Sequence, residues 1–407
     1  MVDYLILILK QYNIDKVVVG YSGGLDSSVI LSIAQKATRA LNISIEALHI
    51  NHNISSNSLS WQSHCEEVCK EKEITIKSIK LRTSPPQKES VEAWARNQRY
   101  KNFLEYTKNH QGIKNIAILL GHHLNDQTET FFLQAIRGAG LPGISAMPLI
   151  KRFSKNSYLV RPLIEISRDE ITSYAEKNEL RYIIDESNFN IKFKRNYLRH
   201  KVIPLLTSEW PSLLKTISRT TKHCAESQTL LNEYISNDLK EICIDNKIQI
   251  KHLITFSEAK RKAILRMWLQ KNNILVPQTK QIVQIVKSLD SATSGWQYII
   301  GDYQLRIYKN HLAIVKKNVD QTYQLPDKAE LKKWGLTLTK EQWDQLNIRY
   351  RLPGDRGKMK PNQPKKHLKK IFQELNIPLW KRDQAAILEL NRTIIGIYPF
   401  CIFAVEG

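Results

Sequence analysis

Nowhere in this sequence of 407 residues do apolar residues run on for the roughly 18 positions that a membrane-spanning helix needs. Asp3 precedes only a short apolar run, so no signal segment is expected, and the chain reads as cytoplasmic with no membrane partner. Cysteine is scarce. Cys65, Cys69, Cys224, Cys243 and Cys401 are scattered and odd in number, which argues against a disulfide framework and for a reducing compartment. None forms a CxxC pair, and Cys65 and Cys69 have a helical spacing that suits buried small hydrophobes better than metal ligands. Internal repeats and low-complexity tracts are lacking too. The most telling shortage is of acid: 61 Lys and Arg stand against 39 Asp and Glu, leaving +22 at pH 7. Such a surplus suits a polyanionic partner, whose phosphates release counterions on contact.

What is present is ordinary for a folded chain, with 42% hydrophobic and 8% aromatic residues. The length calls for two or three compact units. Short β-branched runs at Val17, Val18 and Val19 and over residues 43–50, 74–81 and 116–120 read as buried strands. Between them, residues 26–40, 58–72 and 90–110 have helical length and spacing. This alternation predicts an α/β domain over residues 1–208, built on a doubly wound parallel sheet whose ligands lie at the carboxyl ends of the strands. Long polar helical stretches over residues 212–238 and 256–272 predict a mainly helical middle domain, residues 209–318. After a polar connection near residues 318–323, a small mixed α/β domain is expected over 324–407. It is basic: residues 349–382 hold 11 Lys and Arg against Asp355 and Glu374.

The string VVVGYSGGLDSSVI, residues 17–30, runs from a strand through a glycine turn into a helix. Gly23 and Gly24 let the backbone turn and approach a ligand, so successive N–H groups can face phosphate oxygens. The helix beginning near Leu25 adds its positive N-terminal end, and Ser22, Ser27 and Ser28 offer hydroxyls. Asp26 beside phosphates makes sense with a Mg²⁺ ion between them. The loop has neither the lysine of a Walker GxxxxGKS/T motif nor the GxGxxG of a dinucleotide fold. It resembles the PP-loop of the ATP pyrophosphatase superfamily, which binds ATP and releases pyrophosphate after AMP transfer.

Two further strings belong with it. In VEAWARNQRY, residues 91–100, Glu92, Arg96, Arg99 and Tyr100 fall along one side of a helix, and the arginines can clamp a polyphosphate; a solvated Glu–Arg face is the alternative. GHHLNDQTETFFLQAIRG, residues 121–138, follows the fourth strand, which would aim His122, Asn125, Asp126 and Glu129 into the cleft. The two histidines have no zinc spacing, a capping role for Asp126 is the plain alternative, and two carboxylates near a triphosphate suit Mg²⁺ or a substrate amine.

With these strings in this order, the sequence resembles the tRNA(Ile)-lysidine synthase family. The likeness continues through LHINHNI (48–54), IRGAGLPGISAM (136–147), RPLIEISRDEI (161–171), DESNFNIKFKRNYLRHKVIPLL (185–206) and the basic string over 349–388, so it spans nearly the whole chain. It implies a PP-loop catalytic domain, a middle domain touching tRNA and a C-terminal tRNA-binding appendage. The reaction implied is ATP-dependent adenylation of the wobble cytidine in the CAU anticodon of isoleucine tRNA, followed by attack of free L-lysine. The products are lysidine, AMP and pyrophosphate, and decoding changes from AUG to AUA.

Carried over residue by residue, Ser22, Gly23, Gly24, Leu25, Asp26, Ser27 and Ser28 hold ATP, and Asp26 and Asp126 its Mg²⁺. Arg96 and Arg99 stabilise the phosphoryl transition state, Asp126 and Glu129 receive lysine or metal, and Arg195 and Arg199 lie near the lysine carboxylate or the tRNA. Arg356, Lys358, Lys365, Lys366, Lys369 and Lys370 contact tRNA. A homodimer is compatible with the sequence. One departure is plain: the family usually has two successive aspartates where this chain has Asn125 and Asp126. A PP-loop tRNA thiolase would use the same adenylation but usually carries a CxxC pair or a catalytic cysteine, and a non-catalytic tRNA-binding protein would leave the ATP loop without a purpose.

Overall fold

A computed structural model describes residues 1–82, 86, 90–317, 325–359, 363–382 and 385–403; the expected boundary near 318–324 lies outside them. The chain divides into two compact units, Met1–Leu231 and Asn232–Gly407.

The first unit is built on strands β1 (Lys16–Gly20), β2 (Ser44–Asn51), β3 (Thr75–Lys80), β4 (Ile116–Leu119), β5 (Ile150–Ser154) and β6 (Ser157–Val160), in the order β3-β2-β1-β4-β6-β5. All pairings are parallel except β5 with β6. Its helices are α1 (Val2–Gln11), α2 (Leu25–Leu41), α3 (Ser58–Glu71), α4 (Val91–Lys108), α5 (Leu124–Ile136), α6 (Leu141–Ile144) and α7 (Arg168–Lys177). They cover both faces because the central strands are apolar on both. Val17 and Val19 of β1, with Ala117 and Leu119 of β4, pack against α1, α2, α3 and α7, whereas Val18, Ile116 and Ile118 meet Phe103 and Tyr106 of α4. That is the doubly wound architecture the alternation predicts.

The strand order reverses between β1 and β4, so the loops leaving these two strands diverge and open a crevice at their carboxyl ends. The glycine turn and the segment beginning at Gly121 emerge there. α1 and the β5–β6 hairpin add elements that sequence analysis did not single out. Beyond Lys177 the chain forms α8 (Lys194–Tyr197), a π-helical turn Leu198–Val202, α9 (Ile203–Glu209) and the long α10 (Leu213–Ile242), inside which the division between units falls.

In the second unit, α11 (Ile250–Leu253), α12 (Glu258–Lys271) and α13 (Thr279–Leu289) accompany an antiparallel sheet. Its strands are β7 (Cys243–Ile244), β8 (Lys247–Gln249), β9 (Gln297–Ile300), β10 (Tyr303–Tyr308) and β11 (His311–Lys316). Trp268, Ile282, Leu305 and Leu312 close its core. This sheet was not foreseen. The basic segment follows with α14 (Lys328–Trp334), α15 (Lys340–Gln345), β12 (Asn347–Tyr350), the small β13 (Arg356–Gly357) and β14 (Lys366–His367), α16 (Leu368–Glu374), α17 (Leu379–Arg382), β15 (Ala386–Leu390), β16 (Thr393–Tyr398) and β17 (Cys401–Ile402). Both helix and strand are present there, as expected. No helix among the described residues is long and apolar enough to cross a membrane.

Candidate active site and basic surface

The glycine turn is held open by its own side chains. Gly23 has φ +83°, a left-handed conformation that favours glycine, and a Cβ there would sit 2.8 Å from Ile183 Cδ1 and 2.9 Å from Cys65 Sγ. Its carbonyl accepts from the Ile183 N–H at 2.8 Å, which ties the turn to a distant part of the unit. Ser27 Oγ donates to the Gly24 carbonyl at 2.9 Å and accepts from the Ser22 N–H at 3.2 Å, and Ser28 Oγ lies 3.5 Å from the Gly23 carbonyl. Ser27 and Ser28 are buried and shape the loop from within, while Ser22 is exposed. Leu25 packs in the core as the first residue of α2, so the N-terminal end of this 17-residue helix stands directly behind the turn. Cys65 and Cys69 are fully buried and burial pushes both thiols up to about 12, as inert small hydrophobes should behave.

Asp26, on the first turn of α2, faces the segment after β4. Gly121 permits this approach: a Cβ there would lie 3.0 Å from the Asp26 backbone. Asp26 Oδ1 pairs with Arg168 Nη1 at 2.5 Å, and His123 Nε2 stands between the two acids, 3.8 Å from Asp26 Oδ1 and 3.5 Å from Asp126 Oδ2. Asp126 does cap α5, accepting from the His123 N–H at 3.1 Å, but its other oxygen accepts from Arg199 at 3.1 Å. Burial alone would raise the Asp126 carboxyl; its interactions with the His123 and His122 rings and with the Arg195 and Arg199 guanidinium groups outweigh it and hold the group well below the usual carboxylate range.

Glu129 is completely buried and accepts from both arginines: Arg195 Nε at 2.7 Å and Arg199 Nε at 2.6 Å, with Arg199 Nη2 at 3.1 Å. Arg195 also reaches Glu92 at 3.9 Å. Asn125, where the resemblance leads one to expect aspartate, accepts from the Arg168 N–H at 3.1 Å and so helps hold the start of α7. On α4, Arg96 is exposed and lies over the Tyr100 ring, whereas Arg99 is half-buried, and burial depresses its pKa. His122 is driven down to about 3, chiefly by burial, and His52, beside Arg99 and the Trp94 ring, to about 4 for the same reason.

The fold therefore gathers Asp26, Asp126, Glu129, Arg195 and Arg199 into one paired network. Two further members, Arg168 and His123, were not expected from the sequence: Arg168 lies in the string over 161–171, but its partner Asp26 is 142 residues away. The Ser167–Glu170 capping box was the readable signal that a helix begins at Arg168. For a divalent cation, Asp26 and Asp126 supply hard oxygen ligands, but no group of three metal-binding side chains exists among the described residues. That donor set fits Mg²⁺, which is commonly held by one or two carboxylates and completes its shell with phosphate and water.

In the second unit, the six basic candidates cluster on one small feature. Arg356 lies on β13, Lys358 and Lys365 flank the β13–β14 pair, Lys366 lies on β14, and exposed Lys369 and Lys370 lie on α16. Lys366 is paired with Glu374 at 2.9 Å, and Arg356 Nη2 is 3.0 Å from His367 Nε2.

Two expectations follow. Gly23→Ala forces a left-handed alanine against Ile183 and Cys65 at a cost of about 1 to 2 kcal/mol or more, which by distorting the cradle should weaken ATP binding about tenfold. Equilibrium ATP binding checks this; an affinity within twofold of wild type would refute it. His52 and His122 resist protonation when folded but take up protons near pH 6.5 when unfolded. Stability should therefore fall as pH drops from about 6.5 toward 4, because the unfolded state binds more protons, with Asp126 adding its loss only below about pH 4. A urea midpoint that stays flat from pH 7 to 4 would contradict this.

Family models match three stretches of the chain. A PP-loop domain matches residues 4–206, a "TilS substrate binding domain" residues 249–313 and a "TilS substrate C-terminal domain" residues 346–403. The tRNA(Ile)-lysidine synthase of Francisella philomiragia is 36% identical over 398 residues, covering 97% of each chain. That of Coxiella burnetii is 32% identical over 403 residues, covering 94% of this chain and 88% of its own. Among solved structures, the tRNA thiolase NcsA of Methanococcus maripaludis superposes on 55% of this chain and 78% of its own, with a TM-score of 0.46 at 21% identity. With relatives this similar across nearly its entire length, the chain belongs to the tRNA(Ile)-lysidine synthase family.

Proposed function

We propose that the protein ligates free L-lysine to the wobble cytidine of the CAU anticodon in isoleucine tRNA, using ATP. The observation that carries this is the paired carboxylate–arginine network set beside a glycine turn at the sheet's switch point, in a chain of this family. The cytidine O2 attacks the α-phosphorus, the bond to the pyrophosphate oxygen breaks, and pyrophosphate leaves. The ε-amine of lysine then attacks C2, the C2–O2 bond breaks, AMP departs and the nitrogen loses its proton. An amide-like oxygen is a poor leaving group and AMP a good one, which is why ATP is consumed.

The backbone N–H groups over Ser22–Ser27 and the N-terminal end of α2 bind the departing pyrophosphate, and Arg96 and Arg99 neutralise the charge that develops as it leaves. Asp26 and Asp126 would hold Mg²⁺, which when bound supplies further neutralisation of the phosphates. Asp126, less enclosed than Glu129, meets the lysine ammonium. Glu129 reaches it only when Arg195 or Arg199 swings toward the substrate carboxylate. Holding base, ATP and amine together supplies about 7 to 11 kcal/mol of the barrier reduction. The residues around β13, β14 and α16 neutralise tRNA backbone phosphates, positioning rather than specifying. Within this reading the chain works in the cytoplasm, with catalytic, middle and C-terminal segments over 1–208, 209–318 and 324–407.

The direct test is mass spectrometry of nucleosides from CAU-anticodon isoleucine tRNA incubated with lysine, ATP and the protein; absence of a lysidine mass would end the proposal. Asp126→Asn should abolish AMP formation while leaving tRNA binding intact, and normal turnover would remove Asp126 from the mechanism. Replacing Lys365, Lys366, Lys369 and Lys370 together by alanine should weaken tRNA binding and flatten its salt dependence, by up to about 0.9 for each phosphate that is no longer neutralised. An unchanged slope would place the tRNA elsewhere.

A further inference from the structure

Two strands away from the glycine turn, the same edge of the sheet carries a second concentration of positive charge. Arg161 follows β6, Lys151 lies on β5, and Arg96 and Tyr100 reach toward them from α4; together with Met147 they line an open depression of about 310 Å³. None of residues 22–28 takes part in it. At about 4.8 Å per strand spacing, β1 and β6 stand roughly 10 Å apart, so the depression lies beside the glycine turn rather than within it, with Arg96 on the border between the two.

The group that demands explanation is Arg161. It is 3% exposed, its Nη1 donates to the Pro148 carbonyl at 2.8 Å, and its Nε is buried with no partner among the described residues. No carboxylate among those residues is paired with it. Burial depresses its pKa, the Tyr100 hydroxyl is a hydrogen-bond partner, and the Arg96 guanidinium and the His122 ring are the other titratable neighbours that interact with it. Arg96 itself leans on the Tyr100 ring at 5.1 Å and donates to its hydroxyl at 3.3 Å. Elsewhere in this unit the half-buried Arg195 and Arg199 are matched by Glu129 and Asp126. A buried guanidinium without an acid is costly, and an incoming anion relieves that cost with short, forked hydrogen bonds.

We propose that this depression binds a backbone phosphate of the RNA beside the nucleotide being modified, with Arg161 and Lys151 on its oxygens and Arg96 and Tyr100 closing one side. The proposal rests on the reading of an RNA substrate given above and adds a contact to it. ATP could supply the same oxyanion chemistry, but the glycine turn already serves the triphosphate. The open mouth also suits a polymer that enters and leaves, where a triphosphate would simply end.

The test uses the full chain. Lys151 is exposed, so Lys151→Ala leaves the fold in place; Arg161→Gln and Arg161→Lys are the companion variants. Binding of unmodified CAU-anticodon isoleucine tRNA is measured between roughly 50 and 200 mM salt, and ATP binding separately. Lys151→Ala should weaken RNA binding about three- to tenfold, reduce the salt slope by about 1 and leave ATP affinity unchanged. Arg161→Lys, which keeps the charge and loses the fork, should lose less than Arg161→Gln. RNA affinity and slope unchanged in Lys151→Ala would overturn the proposal, and so would a loss confined to ATP, which would assign the depression to the nucleotide. Wild-type protein that binds no RNA at all would instead overturn the functional reading beneath it.

Discussion

A single buried carboxylate organises the catalytic half of this protein. Glu129 has no exposed surface, and an unpaired charge in that position would cost several kcal/mol, so Arg195 and Arg199 must both come to it. Those arginines belong to a helical stretch that starts some sixty residues later, and their obligation to Glu129 brings that stretch back over the carboxyl edge of the sheet. The π-helical turn Leu198–Val202 sits within it, a wider turn of the kind that recurs at functional sites. With Arg199 also on Asp126, and the His123 ring between Asp126 and Asp26, one continuous run of polar groups leads from the buried acid to the glycine turn.

The same edge of the sheet thus holds two opposite electrostatic arrangements. Around Glu129 every buried charge is answered from within the protein, which is stable and specific in the free state. Around Arg161 the charge is left for something else to answer. Both are built from arginine, whose planar fork suits carboxylate and phosphate alike, and what separates them is only whether the fold supplies the acid. A reaction joining an amine, a nucleotide and a polyanion needs both kinds of surface within reach of one another.

Much of this was legible in the order of residues. The run at Val17, Val18 and Val19 and the run over 116–120 show a strand buried on both faces because neither has a polar side to give to water, and the pair of glycines after the first shows where the chain must turn. Asp126 and Glu129 were named from their own string and Arg195 and Arg199 from the family resemblance, and the fold brings the four together. What could not be read was pairing at a distance: nothing near Arg168 announces Asp26, and nothing near Gly23 announces Ile183. The sheet of the middle segment was readable and went unread. Leu305 and Ile307 are buried and alternate with half-buried neighbours, and Lys309 and Asn310, both at positive φ, make the two-residue turn of a hairpin into Leu312. Helical length elsewhere in the segment hid a pattern of period two.

The asparagine at position 125, where the resemblance leads one to expect aspartate, keeps a contact without bringing a charge. An aspartate there would bring a further negative charge close to Asp26 and Asp126, where Asn125 brings none. Its amide oxygen still accepts the backbone N–H of Arg168, so the start of α7 is held as a carboxylate would hold it, although without charge assistance. Because Arg168 is the first residue of that helix, its side chain is delivered to Asp26 by the same contact that fixes its backbone. The substitution therefore gives up charge at the cleft and keeps geometry. The burden of balancing the arginines falls more heavily on Asp126, whose carboxyl those arginines help hold well below the usual carboxylate range.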